Sequence, residues 1–400
     1  KWQRFQTSLV LSSDKTSETD LSNNVYQRQY SHVYANRLNE LKPRCWNNVP
    51  DLCLKRCERI LDLEEDISNV VVGTLIKEIG NGEPFESSKC TPNDVLVLED
   101  ESGRVYLETE MVDNFATGSV VAVQGFIKPG GLLHVEAIYH PKPLDLPEIE
   151  GECIPSSNGD APHIMLLSGL NCGDPNASSM QRDMLLAYLQ GHLTTTASKV
   201  SRIVIAGNSV WPQDPAFGAM ELDIFLALVC SSGVPIDIIP GMDDPTTANW
   251  PQRPLHSSLL RESGAFGKDY LTKGPNPYAC AMGEKFILGT DGRNVSDLRQ
   301  YLRCGDRPIS EVDALARTLQ LGHICPTGPD SVPTIPHRYT DPMILPHKPH
   351  IYFAGNCLGF ATKVVESTRL ICIPKFSTTG IAVLVNLETL GCSHQGPFRS

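Results

Sequence analysis

Apolar and aromatic side chains recur at helical spacing near the start of the chain, at Tyr26, Tyr30, Tyr34 (or Val33), Leu38 and Leu41, as far as Pro43. The spacing predicts an amphipathic helix whose stripe packs on the protein's own core, with Pro43 as its stop. A second short helix is expected over 52–63, running into the acidic Glu64-Glu65-Asp66. From Asn69 the period changes to that of strands rich in β-branched residues, over 70–79, 95–98, 105–107, 119–127 and 132–139. Asp100-Glu101-Ser102-Gly103 and Pro129-Gly130-Gly131 supply turns between them.

So many short strands in so short a stretch predict a small closed barrel of the OB type. A segment rich in Pro, Gly and Ser follows over 141–162. Beyond it strands and helices alternate, at 163–167, 180–189, 202–206, 221–230 and 236–239, which is the pattern of a layered α/β core. Further strands are expected at 285–288, 351–354, 370–376 and 381–387. Between them a helix over 311–321 is capped by Ser310, stopped by Gly322, and buries Val312, Leu315, Ala316 and Leu319. The expected class is therefore α+β multidomain. The boundaries are a helical segment at 1–50, a barrel at 51–145, a linker at 146–162 and the α/β domain at 163–400.

Composition narrows the function classes. With 400 residues, 41% hydrophobic and 20% charged, the chain has the make-up of a globular protein rather than a disordered, collagenous or coiled-coil one. Its net charge of −12 opposes phosphate backbones. The predicted barrel is more acidic still: Lys77, Lys89, Arg104 and Lys128 face eleven acids between residues 70 and 140. A single-strand-binding barrel needs a positive groove with stacking aromatics, so a protein partner is expected on this surface. No apolar run approaches the roughly 18–20 residues of a membrane helix, and no membrane partner is expected. Leu9-Val10-Leu11 is too short for a signal-peptide core, so secretion is not expected. Thirteen scattered cysteines without a C-x-x-C pair read as buried thiols in a reducing compartment. Cys53 and Cys57, one turn apart on the expected helix, lack the second ligand pair of a zinc site. The sequons at Asn176 and Asn294 would matter only in a secreted protein.

Several strands of the α/β region end in glycine turns: Ser168-Gly169-Leu170, Gly207-Asn208, Gly241-Met242-Asp243-Asp244 and Gly355-Asn356, with Gly322-His323 before the last. This series resembles the calcineurin-like metallophosphoesterases, whose two-metal site is assembled from D-x-H, G-D, G-N-H-D/E, a lone His and G-H-x-H. Here the ligands are eroded: Ser168 and Leu170 replace the first pair, Asn208 the bridging Asp, Met242 an Asn, and Asn356 a His. Only Asp243, Asp244 and His323 could still ligate, too few to hold and neutralise two divalent cations. No metal site, no catalytic residue and no cofactor are expected, and His323 alone reads as a structural histidine. Asp243-Asp244 before Pro245 reads as a turn. His347-Lys348-Pro349-His350 contains a proline that prevents helical pairing of its two imidazoles, and it reads as loop. No G-x-S-x-G, phosphate loop, H-E-x-x-H or G-x-G-x-x-G is present.

A barrel followed by an eroded phosphoesterase domain resembles the B-subunit family of the replicative DNA polymerases, and within it the delta branch. The matching stretches run in order: Arg28 to Tyr34 with Arg37-Leu38, Val70 to Leu75, Val97 to Glu101, Asn276-Pro277-Tyr278 and Gly289 to Asp297. They continue with His323 to Asp330, Thr340-Asp341-Pro342 and Pro349 to Asn356. Departures are small, such as Ser331-Val332 and a short 81–91 loop. The resemblance implies a nuclear, non-catalytic scaffold for DNA replication and repair synthesis. It would grip the cysteine-rich C-terminal module of the polymerase's catalytic subunit, and a third subunit that reaches the sliding clamp. DNA and clamp would be met indirectly, and a small fourth subunit is a further candidate partner. It also implies that the N-terminal helix packs on the phosphoesterase-like domain. An active metallophosphoesterase and a single-strand-binding OB protein are the alternatives.

Overall fold

A computed structural model describes residues 9–11, 29–50, 55–148 and 161–398. In chain order the first elements are β1 (Leu9–Leu11), α1 (Ser31–Trp46), β2 (Lys55–Cys57), β3 (Asn69–Glu78), β4 (Val95–Glu99), β5 (Arg104–Glu108), β6 (Val120–Lys128) and β7 (Leu132–Tyr139). Next come β8 (His163–Leu167), α2 (Ser179–Leu189), β9 (Val200–Ala206), α3 (Pro215–Ser231), β10 (Ile236–Ile239), α4 (Arg261–Gly264) and β11 (Leu271–Lys273). They are followed by β12 (Tyr278–Met282), β13 (Lys285–Thr290), α5 (Arg293–Leu298), the small hairpin β14 (Arg303–Cys304) and β15 (Arg307–Pro308), and α6 (Glu311–Gln320). The chain closes with β16 (Ile351–Cys357), β17 (Ala361–Val365), β18 (Thr368–Pro374), α7 (Phe376–Thr379), β19 (Ala382–Asn386) and β20 (Cys392–Gln395).

These elements form two units, each discontinuous in sequence. One, the barrel unit, takes the described residues of 14–145 together with 294–348; the other, the sandwich unit, takes those of 1–13, 146–293 and 349–400. This division differs from the sequence expectation, which kept all of 163–400 in one domain.

In the barrel unit the strands run β2-β3-β4-β5-β7-β6, and an antiparallel β3–β6 pairing closes the sheet. Val71, Leu75, Leu96, Leu98, Val121, Val123 and Leu133 fill the interior. The register of β6 and β7 shifts at Gln124/Gly125, and a Cβ on Gly125 would lie 2.0 Å from the His134 carbonyl, so this bulge requires glycine. Val70, Val72, Val120 and Ala122 point the other way along the same strands, and α1 covers them with Leu38, Leu41 and Cys45, joined by Val49 just beyond the helix. The unbroken Val70-Val71-Val72 run reflects a strand buried on both faces. The apolar face of α1 therefore packs on the barrel, whereas the sequence expectation put it on the phosphoesterase-like domain. Its other edge is tied to 326–341: Tyr30 Oη donates to Thr334 O and Asn36 Nδ2 to Arg338 O.

Two further local expectations change. Helix α1 runs through Pro43 to Trp46, and Asn39, whose carbonyl a residue at 43 would ordinarily bond, lies on the exposed side. Residues 55–57 of the expected 52–63 helix form the strand β2, parallel to β3, followed by a single 3-10 turn at Ile60–Asp62. Tyr26 and Cys53 lie outside the described residues. Cys57, in a strand, is buried with its Sγ on Asp62 O and Asn69 Oδ1.

The sandwich unit stacks two six-stranded sheets, ordered β11-β10-β9-β8-β19-β20 and β1-β12-β13-β16-β18-β17. Ile164, Leu166, Val204 and Val383 of the first meet Tyr278, Ile287, Phe353 and Ile371 of the second. On the outer face of the first sheet, Met165, Leu167, Ile203 and Ile205 pack under Leu185 and Leu189 of α2 and Leu222 and Leu226 of α3.

Candidate functional site

The strands β8, β9 and β10 run parallel in one sheet, and β13 and β16 run parallel in the other. Side chains that follow them therefore gather where the strands end, the usual place for a ligand site in such sheets. Ser168 follows β8. Its hydroxyl donates to Ile373 O (3.2 Å) or Pro374 O (3.1 Å) and accepts from Asn356 N (2.9 Å). Asn356, near the end of β16, donates through Nδ2 to Ala206 O (3.1 Å) and Asp291 O (2.9 Å), sewing the end of β9 to the loop after β13. Asn208 follows β9, and its amide donates to Asp243 Oδ2 at 2.9 Å. Both Asn208 and Asn356 have φ of 53°, a left-handed conformation in which Asn is tolerated better than most residues.

Asp244 is spent on the backbone. Its Oδ1 accepts from Ser209 N and Val210 N and its Oδ2 from Gly241 N, each at 2.8 Å. Burial pushes its carboxyl up to about 6, against backbone amides that favour the charged form. The turn role expected from Asp-Asp-Pro is thus carried by Asp244, while Asp243 pairs with Asn208.

The remaining expected positions are not brought to this place. Leu170 points into the core beneath α2 and α3, at 1% exposure. Met242 is exposed at 58%. His323 belongs to the barrel unit, where its Nδ1 accepts from Cys325 N (3.1 Å) and its Nε2 donates to Asp341 Oδ2 (2.9 Å). The same Asp341 oxygen takes Arg37 Nε at 2.8 Å. Burial pushes His323 down to about 4, the Arg37 charge acts in the same direction, and Asp341 opposes. Burial alone would raise Asp341; the charges and hydrogen bonds of His323 and Arg37 hold it well below the usual carboxylate range.

Sequence reasoning missed Asp291. It is buried in the turn after β13, its Oδ1 accepts from Arg293 N (3.2 Å), and burial raises its carboxyl. The available signal was Thr290-Asp291-Gly292, another strand-end glycine turn. Its backbone needs that glycine: Gly292 has φ of 88°, and a Cβ there would lie 1.8 Å from Gly355 O.

The phosphoesterase resemblance implies two divalent cations, and the residues present do not fit them. Ser168 is committed to backbone groups, Asn208 and Asp243 to each other, Asp244 to backbone amides, and Leu170 to the core. Among the described residues no group of three His, Cys, Asp or Glu side chains is arranged to hold a metal ion. The arrangement can do something else: it fastens the ends of β8, β9, β10, β13 and β16 together through hydrogen bonds.

Comparison with known proteins finds matches along most of the chain. The family model for the DNA polymerase delta subunit OB-fold domain matches residues 29–138, and that for the B subunit of DNA polymerase alpha/epsilon matches 164–362. The DNA polymerase delta small subunit of Oryza sativa subsp. japonica is 32% identical over 92% of this chain and 92% of its own. DNA polymerase delta subunit 2 of Drosophila melanogaster is 31% identical over 92% and 93%, and the DNA polymerase delta small subunit of Saccharomyces cerevisiae 29% over 91% and 88%. A solved archaeal phosphodiesterase aligns with 58% of this chain and 98% of its own at 10% identity and a TM-score of 0.31. Matches to the delta-subunit OB-fold and B-subunit family models, in that order and with relatives at such identity over such coverage, establish that the chain belongs to the family of DNA polymerase delta small subunits.

Proposed function

We propose that the chain is a non-catalytic accessory subunit of replicative DNA polymerase delta, acting in the nucleus in DNA replication and repair synthesis. It bridges the cysteine-rich C-terminal module of the catalytic subunit and a third subunit that reaches the sliding clamp. One observation carries this reading: the side chains at the strand ends, Ser168, Asn208, Asp243, Asp244 and Asn356, are consumed by hydrogen bonds within the fold. What the family fold retains is shape, and shape serves binding. The catalytic module docks on the barrel unit, where Tyr106 stands exposed on β5, and the third subunit docks on the sandwich unit. Exposed Phe217, Met220, Ile224 and Leu228 line one side of α3 and supply the apolar anchors that stable interfaces use.

The test is co-expression of the full chain with both partners. Deleting 70–140 would not isolate the barrel's role, because it would uncover Leu38, Leu41 and Cys45 of α1. Single exposed substitutions avoid this: Tyr106→Glu is expected to lose the catalytic module and keep the third subunit, and Ile224→Glu the reverse. Elemental analysis of the purified chain and a phosphodiester screen with manganese complete the test. Two bound metals per chain, with turnover abolished by Asp243→Ala, would overturn the scaffold reading in favour of a metallophosphoesterase.

A further inference from the structure

In the barrel unit a groove of about 450 Å³ opens between α1 and strands β3 to β5. That volume lies within the roughly 300–1,000 Å³ of ordinary ligand sites. Its two halves differ in chemistry. Leu38 and Ile76 give it an apolar floor, with the Tyr34 ring beside them. Carboxylates crowd its rim: Glu99, Asp100, Glu101 and Asp330. Arg104, a base on the same rim, is paired with Glu99 at 2.9 Å. Two of the acids are held in position by hydrogen bonds. Asp100 accepts from Ile60 N (2.8 Å) and from the Ser102 amide (2.7 Å), and Asp330 accepts from Tyr34 Oη at 2.7 Å. The rim charge is therefore fixed in place.

We propose that this groove captures a lysine- or arginine-bearing segment of a protein partner. An aliphatic stem ending in a cation is the side chain that matches an apolar floor below a carboxylate rim. Stem and apolar neighbours lie on Leu38 and Ile76, and the cationic head meets Glu101 and Asp330. Nucleic acid is excluded by the same charges. The proposal rests on the reading that the barrel unit meets protein, and it adds the chemistry of the segment that is met.

The test uses the full chain and a fluorescein-labelled ten-residue peptide of alternating arginine and leucine, followed by anisotropy at physiological salt. Saturable one-to-one binding is expected. Glu101→Lys should weaken it at least tenfold and Glu101→Gln severalfold. Glu284→Lys, an equal charge change in the sandwich unit, should alter it less than twofold. An arginine–serine peptide of the same length should bind at least tenfold more weakly, and spermine should compete poorly. If Glu284→Lys weakens binding as much as Glu101→Lys, or the serine peptide or spermine binds as well as the leucine peptide, the acidic surface acts diffusely and the groove is not a site. Matched thermal melts of the Glu101 variants ensure that folding is not what is read. Capture of the catalytic module by the same variants keeps the two proposals apart. Wild-type chain that binds peptide but captures no module overturns the bridging role and leaves the groove standing.

Discussion

Arg37 on α1 and Asp341, 304 positions later in the chain, form an ion pair of 2.8 Å with both side chains at most 2% exposed. The guanidinium spends its other nitrogens on backbone carbonyls: Nη1 donates to Pro326 O (2.8 Å) and Gly118 O (3.3 Å), and Nη2 to Gly328 O (2.7 Å). One side chain thereby joins α1, the β6 end of the barrel and the 326–341 segment. Removing it leaves a buried carboxylate and three carbonyls without their donor. Arg37→Ala should cost about 3–5 kcal/mol, the usual penalty for breaking a buried pair. Urea unfolding of the full chain measures it. Adding Asp341→Asn should recover part of the loss, and an Arg37→Ala variant as stable as wild type would show that the pair holds nothing together.

His323 makes the stability of the barrel unit depend on pH. Its folded value of about 4 lies below the ordinary 6.5, so between these limits the unfolded chain binds more protons than the folded one. Stability is therefore full above about pH 6.5 and falls as the pH drops toward 4. The shift corresponds to about 3 kcal/mol. Relative to His323→Gln, wild type should lose that amount between pH 7 and pH 4. Nuclear magnetic resonance of the imidazole should show it still neutral at pH 5.5; a midpoint near 6.5 would contradict its lowering by burial and by the Arg37 charge.

Restoring the phosphoesterase acid should harm the fold rather than revive chemistry. Ser168 is a donor facing Ile373 O and Pro374 O. Ser168→Ala should cost about 1–3 kcal/mol through lost hydrogen bonds, and Ser168→Asp more, because a carboxylate would face two carbonyl oxygens. Thermal melts rank the three proteins. A Ser168→Asp chain that is as stable as wild type and binds manganese stoichiometrically would mean that the site still accepts metal.

Single-stranded DNA should bind the isolated chain with a dissociation constant weaker than about 1 mM near 0.15 M salt, since an acidic barrel leaves little counterion release to drive association. Anisotropy with a labelled oligonucleotide reads this directly. Sub-micromolar binding with a steep salt slope would reveal a basic groove that the charge balance conceals.

Periodicity alone located β3 to β7 of the barrel and β8 to β10 of the α/β unit to within a residue or two, because each is a local pattern of apolar side chains set by its own burial, whereas β2, expected as helix, and the short or edge strands β11, β12, β17 and β20 gave no such pattern. The cap of α6 was equally local: Ser310 Oγ accepts from Asp313 N, and Gly322 leaves the helix with φ of 65°. That Ser168, Asn208 and Asn356 stand at strand ends beside glycine turns was legible too, as a local pattern. What lay across the chain was not. Residues 294–348 join the barrel, α1 turns its apolar face to Val70 and Val120, and His323 meets Arg37 and Asp341 instead of the strand-end cluster. Asp291 entered that cluster through a sheet pairing no local window contains. Buried polar groups choose partners by position in space, and a sequence separation of about 300 residues carries no trace of it; only the tertiary structure decides which donor reaches which acceptor.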